Sequence, residues 1–141
     1  MEFKFHHIGI AVNKIEPLAG IFKKLLNVSF SDIENVETQK VNVTFSKNKP
    51  SIELIEATSD NSPEYPILPH PLKSFIKDKG EGLHHLCFSV TNLDEALKKF
   101  TDSGITIIGS RIQIGAEGKR IFFLNPVHTG SILIEIKEEA E

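Results

Sequence analysis

Phe5-His6-His7-Ile8-Gly9-Ile10-Ala11-Val12 returns 78 residues later as Leu83-His84-His85-Leu86-Cys87-Phe88-Ser89-Val90. The echo runs on at the same spacing, with Ile15-Glu16 against Leu93-Asp94 and Phe22 against Phe100. A second echo closes each half, Ile52-Glu53-Leu54 against Ile134-Glu135-Ile136, at a spacing of 82 residues. Each half therefore opens on a histidine strand and closes on a glutamate strand. Two His and two Glu at repeat-equivalent places are what a duplicated metal site looks like.

The histidine segments alternate as strands do. Ile8, Ile10 and Val12 share one face, and His7, Gly9 and Ala11 the other. Leu86, Phe88 and Val90 repeat the bulky face, and His85, Cys87 and Ser89 repeat the small one. The bulky face reads as core under a helix. The other carries a histidine and then only small residues, which leaves room for a bound molecule. The same parity selects His7 and His85 over His6 and His84.

A helix is predicted after each histidine strand. Pro17 suits a first turn, and Leu18, Ile21, Phe22, Leu25 and Leu26 form one apolar stripe. Leu93, Ala96, Leu97 and Phe100 repeat it, and Gly104 ends it. Short strands follow at about 41–45 and 52–56, and again at about 121–124 and 132–136. Residues 59–71 hold four of the seven prolines and read as a linker, with a short helix at 72–79. The segment from Gly115 to Arg120 reads as a loop. Each half is thus β-α-β-β with room for one more strand, module 1 spanning about 1–60 and module 2 about 80–141 of a single domain.

A chain of 141 residues, 40% hydrophobic and 25% charged, has the size and composition of such a domain. Its net charge of −3 argues against a general nucleic-acid binder. No apolar run nears the ~20 residues that span a bilayer, so no membrane partner is expected. The opening residues read as a strand, not as a signal peptide. The single cysteine, Cys87, excludes an intramolecular disulfide and fits a reducing, cytoplasmic compartment.

Neutral imidazole and carboxylate together suit one divalent ion, Co, Zn, Ni, Mn or Fe, without selecting among them. A carboxylate inside an apolar strand is costly to bury unless paired or bound to a cation. Single histidines and glutamates in strands are usually structural or solvated; their matched placement is what favours His7, Glu53, His85 and Glu135 as ligands. Glu135 is the weaker glutamate, since Lys137, Glu138 and Glu139 lead from it into a charged tail. His70 and His128 lack repeat mates and read as surface or loop residues. Cys87, whose repeat mate is Gly9, reads as pocket wall.

In these features the chain resembles the vicinal oxygen chelate superfamily, which includes glyoxalase I, extradiol dioxygenases and bleomycin-resistance proteins. Within it the chain is most similar to the methylmalonyl-CoA epimerases. The likeness lies in His6 to Val12, Ser51 to Glu56, Lys79 to His85, Ile114 to Lys119, Phe123-Leu124-Asn125-Pro126 and Ile132 to Glu135, nearly the whole chain. It implies an α+β fold of two βαβββ modules forming a cup-shaped mixed sheet around a metal held by His7, Glu53, His85 and Glu135. It implies epimerisation of a 2-methyl-branched acyl-CoA, with Glu135 and Glu53 as the acid/base pair. Ser89 and Cys87 would line the substrate site, with Lys119 and Arg120 near a CoA phosphate. A homodimer is expected. A glyoxalase I-like isomerase of thiol hemithioacetals shares the ligands, and a non-enzymatic binding or resistance protein is the third reading.

Overall fold

The computed structural model describes residues 1–140. Two βαβββ modules follow one another: β1 (Lys4–Ala11), α1 (Ile15–Leu26), β2 (Glu34–Val36), β3 (Val41–Phe45) and β4 (Ser51–Ala57), then α2 (Pro71–Lys79), then β5 (Gly82–Val90), α3 (Leu93–Asp102), β6 (Gln113–Ile114), β7 (Arg120–Leu124) and β8 (Ile134–Glu138). The α+β class and the repeated module are as the sequence predicts. The additional strand of each half is β2 or β6. The last strand runs two residues later than predicted, and Pro71, assigned to the linker, is the first residue of α2. Among the described residues no helix is long and apolar enough to cross a membrane.

By contacts the chain divides into two units, Met1–His7 with the chain from His85 onward, and Ile8–His84. In the second unit the strand order is β2-β3-β4-β1, and in the first it is β1-β5-β8-β7-β6. The β2-β3 and β3-β4 pairs are antiparallel. In the first unit β8 lies parallel to β5 and antiparallel to β7, so it links the histidine strand to the loop-bearing strand.

Alternation gives β5, β7 and β8 two unlike faces. Val90, Phe122, Leu124 and Ile136 pack with Leu93 and Ala96 of α3, and Phe3, Phe88 and Phe100 join them. Each side chain buried this fully contributes about 1.5–3 kcal/mol. His85, Cys87, Ser89, Glu135 and Lys137 occupy the alternate positions and are buried too. In the second unit Val12, Ile15 and Leu54 form the core.

The apolar stripe of α1 is only half used. Ile15 is buried, but Ile21, Leu25 and Leu26 are 50%, 71% and 60% exposed. The helix meets its core through Ile15, Leu18 and Ala19, and the last turn contributes nothing to that cluster.

The repeat also fixes how the first helix of each module is anchored. The Glu56 carboxylate accepts the backbone N–H of Ile15 at 2.6 Å, and the Glu138 carboxylate accepts that of Leu93 at 3.0 Å. These glutamates are 82 residues apart, the spacing of Glu53 and Glu135. An anion at a helix N-terminus satisfies an orphan donor and complements the macrodipole. Asn92 adds a side-chain cap to α3 by accepting the Glu95 N–H. Glu138 is therefore no part of a charged tail. Arg120 clamps it from β7, donating to Glu138 from Nε at 3.0 Å and Nη2 at 2.9 Å, and to Asp94 from Nη2 at 2.8 Å.

The hydrogen bond from Arg120, and then that from the Leu93 N–H, hold the Glu138 carboxyl below its ordinary value. A depressed folded pKa stabilises above the unfolded value of about 4.3 and is lost as pH falls through the folded one. Glu138→Gln is accordingly expected to lower the melting temperature at pH 7. That deficit should shrink toward zero as melts are taken down to pH 3. A deficit independent of pH would mean that the charge of Glu138 is not what anchors α3.

His70 is not at the surface. It is buried, its Nδ1 accepts the Leu72 N–H at 3.1 Å, and its Nε2 stands 3.0 Å from the carbonyls of Gln39 and Lys40. It caps α2 and ties it to the turn before β3. His128 is exposed, as expected, and its Nε2 accepts the Thr106 N–H.

Candidate metal centre

Strands β5 and β8 build most of the site through their register, which sets Cys87 beside Glu135 and Ser89 beside Lys137. His85 precedes Cys87 on the same face. His7 arrives from β1 by a break in alternation. The ring of Phe5 packs on Phe88, on the core side. His7, two residues on, should share that side, yet it meets His85 and Glu135 on the other. One residue of slip, at His6, accounts for this, as at the β-bulges that re-aim side chains beside functional sites. Parity set His6 on the opposite face from His7, yet its ring is on the side of His7, with Nδ1 2.7 Å from His7 Nδ1.

Three atoms of the kinds that ligate metals converge. His7 Nε2 and His85 Nε2 are 3.2 Å apart, and Glu135 Oε1 stands 3.3 Å from the first and 3.2 Å from the second. All three residues are buried. Two ligands about 2.1 Å from a shared cation at near-tetrahedral angles lie about 3.4 Å apart, so the trio fits a first-row divalent ion. Burial pushes the Glu135 carboxyl up, but the hydrogen bonds and charge of His7 and His85 outweigh it and hold the group well below the usual range. Glu135 is thus an anion in the interior, facing two imidazole nitrogens. The Phe123 ring stands edge-on to His85, with centroids 6.3 Å apart, and forms an apolar wall.

A second group of charges adjoins the trio. Lys137 is 2% exposed, and its Nζ donates to Glu117 Oε1 at 3.0 Å and lies 3.7 Å from Glu139 Oε2. Burial pulls the Lys137 pKa down, but the Glu117 hydrogen bond and the charges of Glu117, Glu139 and Glu135 raise it further, so the ammonium keeps its proton. Glu117 sits in the 3-10 turn Ala116–Gly118, in left-handed backbone with φ 60°. Gly115 lets this turn sit on β7, because a Cβ there would stand 2.9 Å from Ile121 Cδ1.

The other expected site residues fall as follows. Glu53 lies on β4 in the second unit, 5% exposed beside fully buried Leu54. Cys87 and Ser89 are buried on the face of Glu135. Lys119 Nζ is 3.5 Å from Glu139 Oε1. Arg120 pairs with Glu138 and Asp94, and its guanidinium so helps to anchor α3. Sequence reasoning missed His6, Glu117, Lys137 and Glu139. A repeated His-His pair was the one available sign of His6; Lys137, two residues from Glu135 on the same strand, was masked by the charges around it.

Residues 6–123 match the model of the Glyoxalase/Bleomycin resistance protein/Dioxygenase superfamily. The chain belongs to that superfamily. The protein YqjC of Bacillus subtilis (strain 168) is 35% identical over 96% of this chain and 91% of its own length. The mitochondrial methylmalonyl-CoA epimerase of Homo sapiens is 28% identical over 96% of this chain and 73% of its own. The crystal structure of the methylmalonyl-CoA epimerase from Mycobacterium tuberculosis superposes with a TM-score of 0.85 over 98% of this chain and 89% of that one, at 21% identity, which is a likeness of fold.

Proposed function

We propose that the chain is a metal-dependent epimerase of a 2-methyl-branched acyl-CoA, methylmalonyl-CoA being the first substrate to test. One observation carries the reading: two buried imidazole nitrogens and a buried carboxylate oxygen meet within 3.2–3.3 Å of one another. Similarity to epimerases along 96% of the chain supports the substrate class. His7, His85 and Glu135 serve as ligands, and Glu53, the repeat equivalent of Glu135, is the fourth.

The α-proton of a thioester is too weak an acid for a free carboxylate at neutral pH. A divalent ion, when bound, supplies positive charge to the oxygen on which enolate charge develops. Glu135 removes the α-proton from one face; as a carboxylate it has one oxygen for the cation and one for the proton. Glu53 returns a proton to the opposite face, so the product differs from the substrate only in configuration. Cys87 and Ser89 are small, and they leave space for the acyl group beside Glu135. Lys119 is the candidate contact for a CoA phosphate.

In deuterium oxide, metal-loaded protein is expected to exchange the α-proton of methylmalonyl-CoA for deuterium, read by mass spectrometry. Absence of exchange rules the reading out. The same ligands suit the glyoxalase I-like isomerisation of thiol hemithioacetals; turnover of these without exchange on the acyl-CoA would decide for that chemistry.

A further inference from the structure

The slip in β1 places a second imidazole behind His7, and we propose that His6 is a positioning residue that fixes the ligand form of His7. The inference rests on His7 being a metal ligand. A neutral imidazole that offers Nε2 to a cation carries its proton on Nδ1. At 2.7 Å, His7 Nδ1–H then donates to His6 Nδ1, which must be the acceptor. This leaves the proton of His6 on Nε2, which points to Glu139 Oε2 at 3.5 Å. The same distance argues against a second cation shared by the two rings, since ligands of one ion stand about 3.4 Å apart. Cys87 Sγ lies within 4.8 Å of both rings and closes the space around the pair.

The carboxylate that faces the His6 ring is itself set between charges. Glu139 is held between Lys137 Nζ at 3.7 Å and Lys119 Nζ at 3.5 Å, and Lys137 is in turn held by Glu117. Glu139 follows Glu135 by four residues and stands one residue past the end of β8. That one segment therefore carries both a ligand of the site and the group that orients the ring behind another ligand. Outer partners of this kind set ring orientation and ligand basicity, and their removal costs about 10–100-fold in metal affinity.

The test needs no turnover. In zinc-loaded wild-type protein with 15N-labelled histidine, long-range 1H–15N spectra are expected to show His7 protonated on Nδ1 and His6 on Nε2. A His6 that carries its proton on Nδ1 overturns the inference. His6→Leu is expected to weaken Co2+ binding, measured by competition with a chelator, by about 10–100-fold. His6→Asn, whose Oδ1 can accept where Nδ1 did, should recover most of that loss. Unchanged affinity in His6→Leu, or an equal loss in His6→Asn, overturns it as well. A wild type that takes up no Co2+ overturns the ligand reading of His7, and the role of His6 with it.

Discussion

Glu135→Gln is expected to slow α-proton exchange of the acyl-CoA by about 10²–10⁴-fold, the usual contribution of a positioned general base. The substitution keeps the length and planarity of the side chain and removes its negative charge and its capacity to take a proton. It strikes the site in two ways. The buried anion that faces both imidazole nitrogens is gone, so metal binding should weaken too. Measuring kcat at saturating metal separates the two effects. If the rate returns to that of the wild type once metal is saturating, Glu135 is a ligand only, and the base lies elsewhere. If kcat stays low while KM for the acyl-CoA is unchanged, the interaction lost belongs to the transition state. Glu53→Gln provides the matched comparison: a similar fall in epimerisation with α-deuterium exchange retained would assign it to the second face.

How much of this was legible depended on whether the signal was periodic. The repeat of histidine strand and glutamate strand located three side chains that converge, because position in a repeat survives the loss of nearly every other likeness. The helix-anchoring pair Glu56 and Glu138 sits at the same 82-residue spacing, but Glu138 was hidden by its neighbours Lys137 and Glu139, which made the segment look solvated. Local composition overrode the longer-range pattern there, and the result was wrong for Lys137 too, a lysine 2% exposed. The stripe of α1 failed for a different reason. Periodicity reports which residues share a helix face and not how much of that face a core covers, so Leu25 and Leu26 were assigned inward and lie outward. His6 was illegible to alternation itself. A slip of one residue leaves no mark in a sequence read two residues at a time. Lys119, finally, the proposed contact for a CoA phosphate, lies outside the repeated elements, where no internal comparison exists.

Removal of the metal should be the largest effect on the folded protein, and His85→Ala isolates its origin. A ligand that binds only the native state stabilises it by about 4.1 kcal/mol when present at 1,000 times its dissociation constant. The melting temperature of chelator-stripped protein is therefore expected to climb steadily as Zn2+ or Co2+ is added, and epimerisation to return with it. His7 Nε2 and His85 Nε2 stand 3.2 Å apart beside the buried Glu135 carboxylate, a donor set that suits a cation. His85→Ala removes one of the three converging atoms, and its melting temperature should barely respond to metal. The loss of a buried ring would by itself lower stability in any protein, so the slope against metal concentration, and not the starting temperature, is the quantity that decides. A His85→Ala protein as responsive to metal as the wild type would show that the convergence of His7, His85 and Glu135 is structural, held together by shared protons, and would move the search for the metal to other residues.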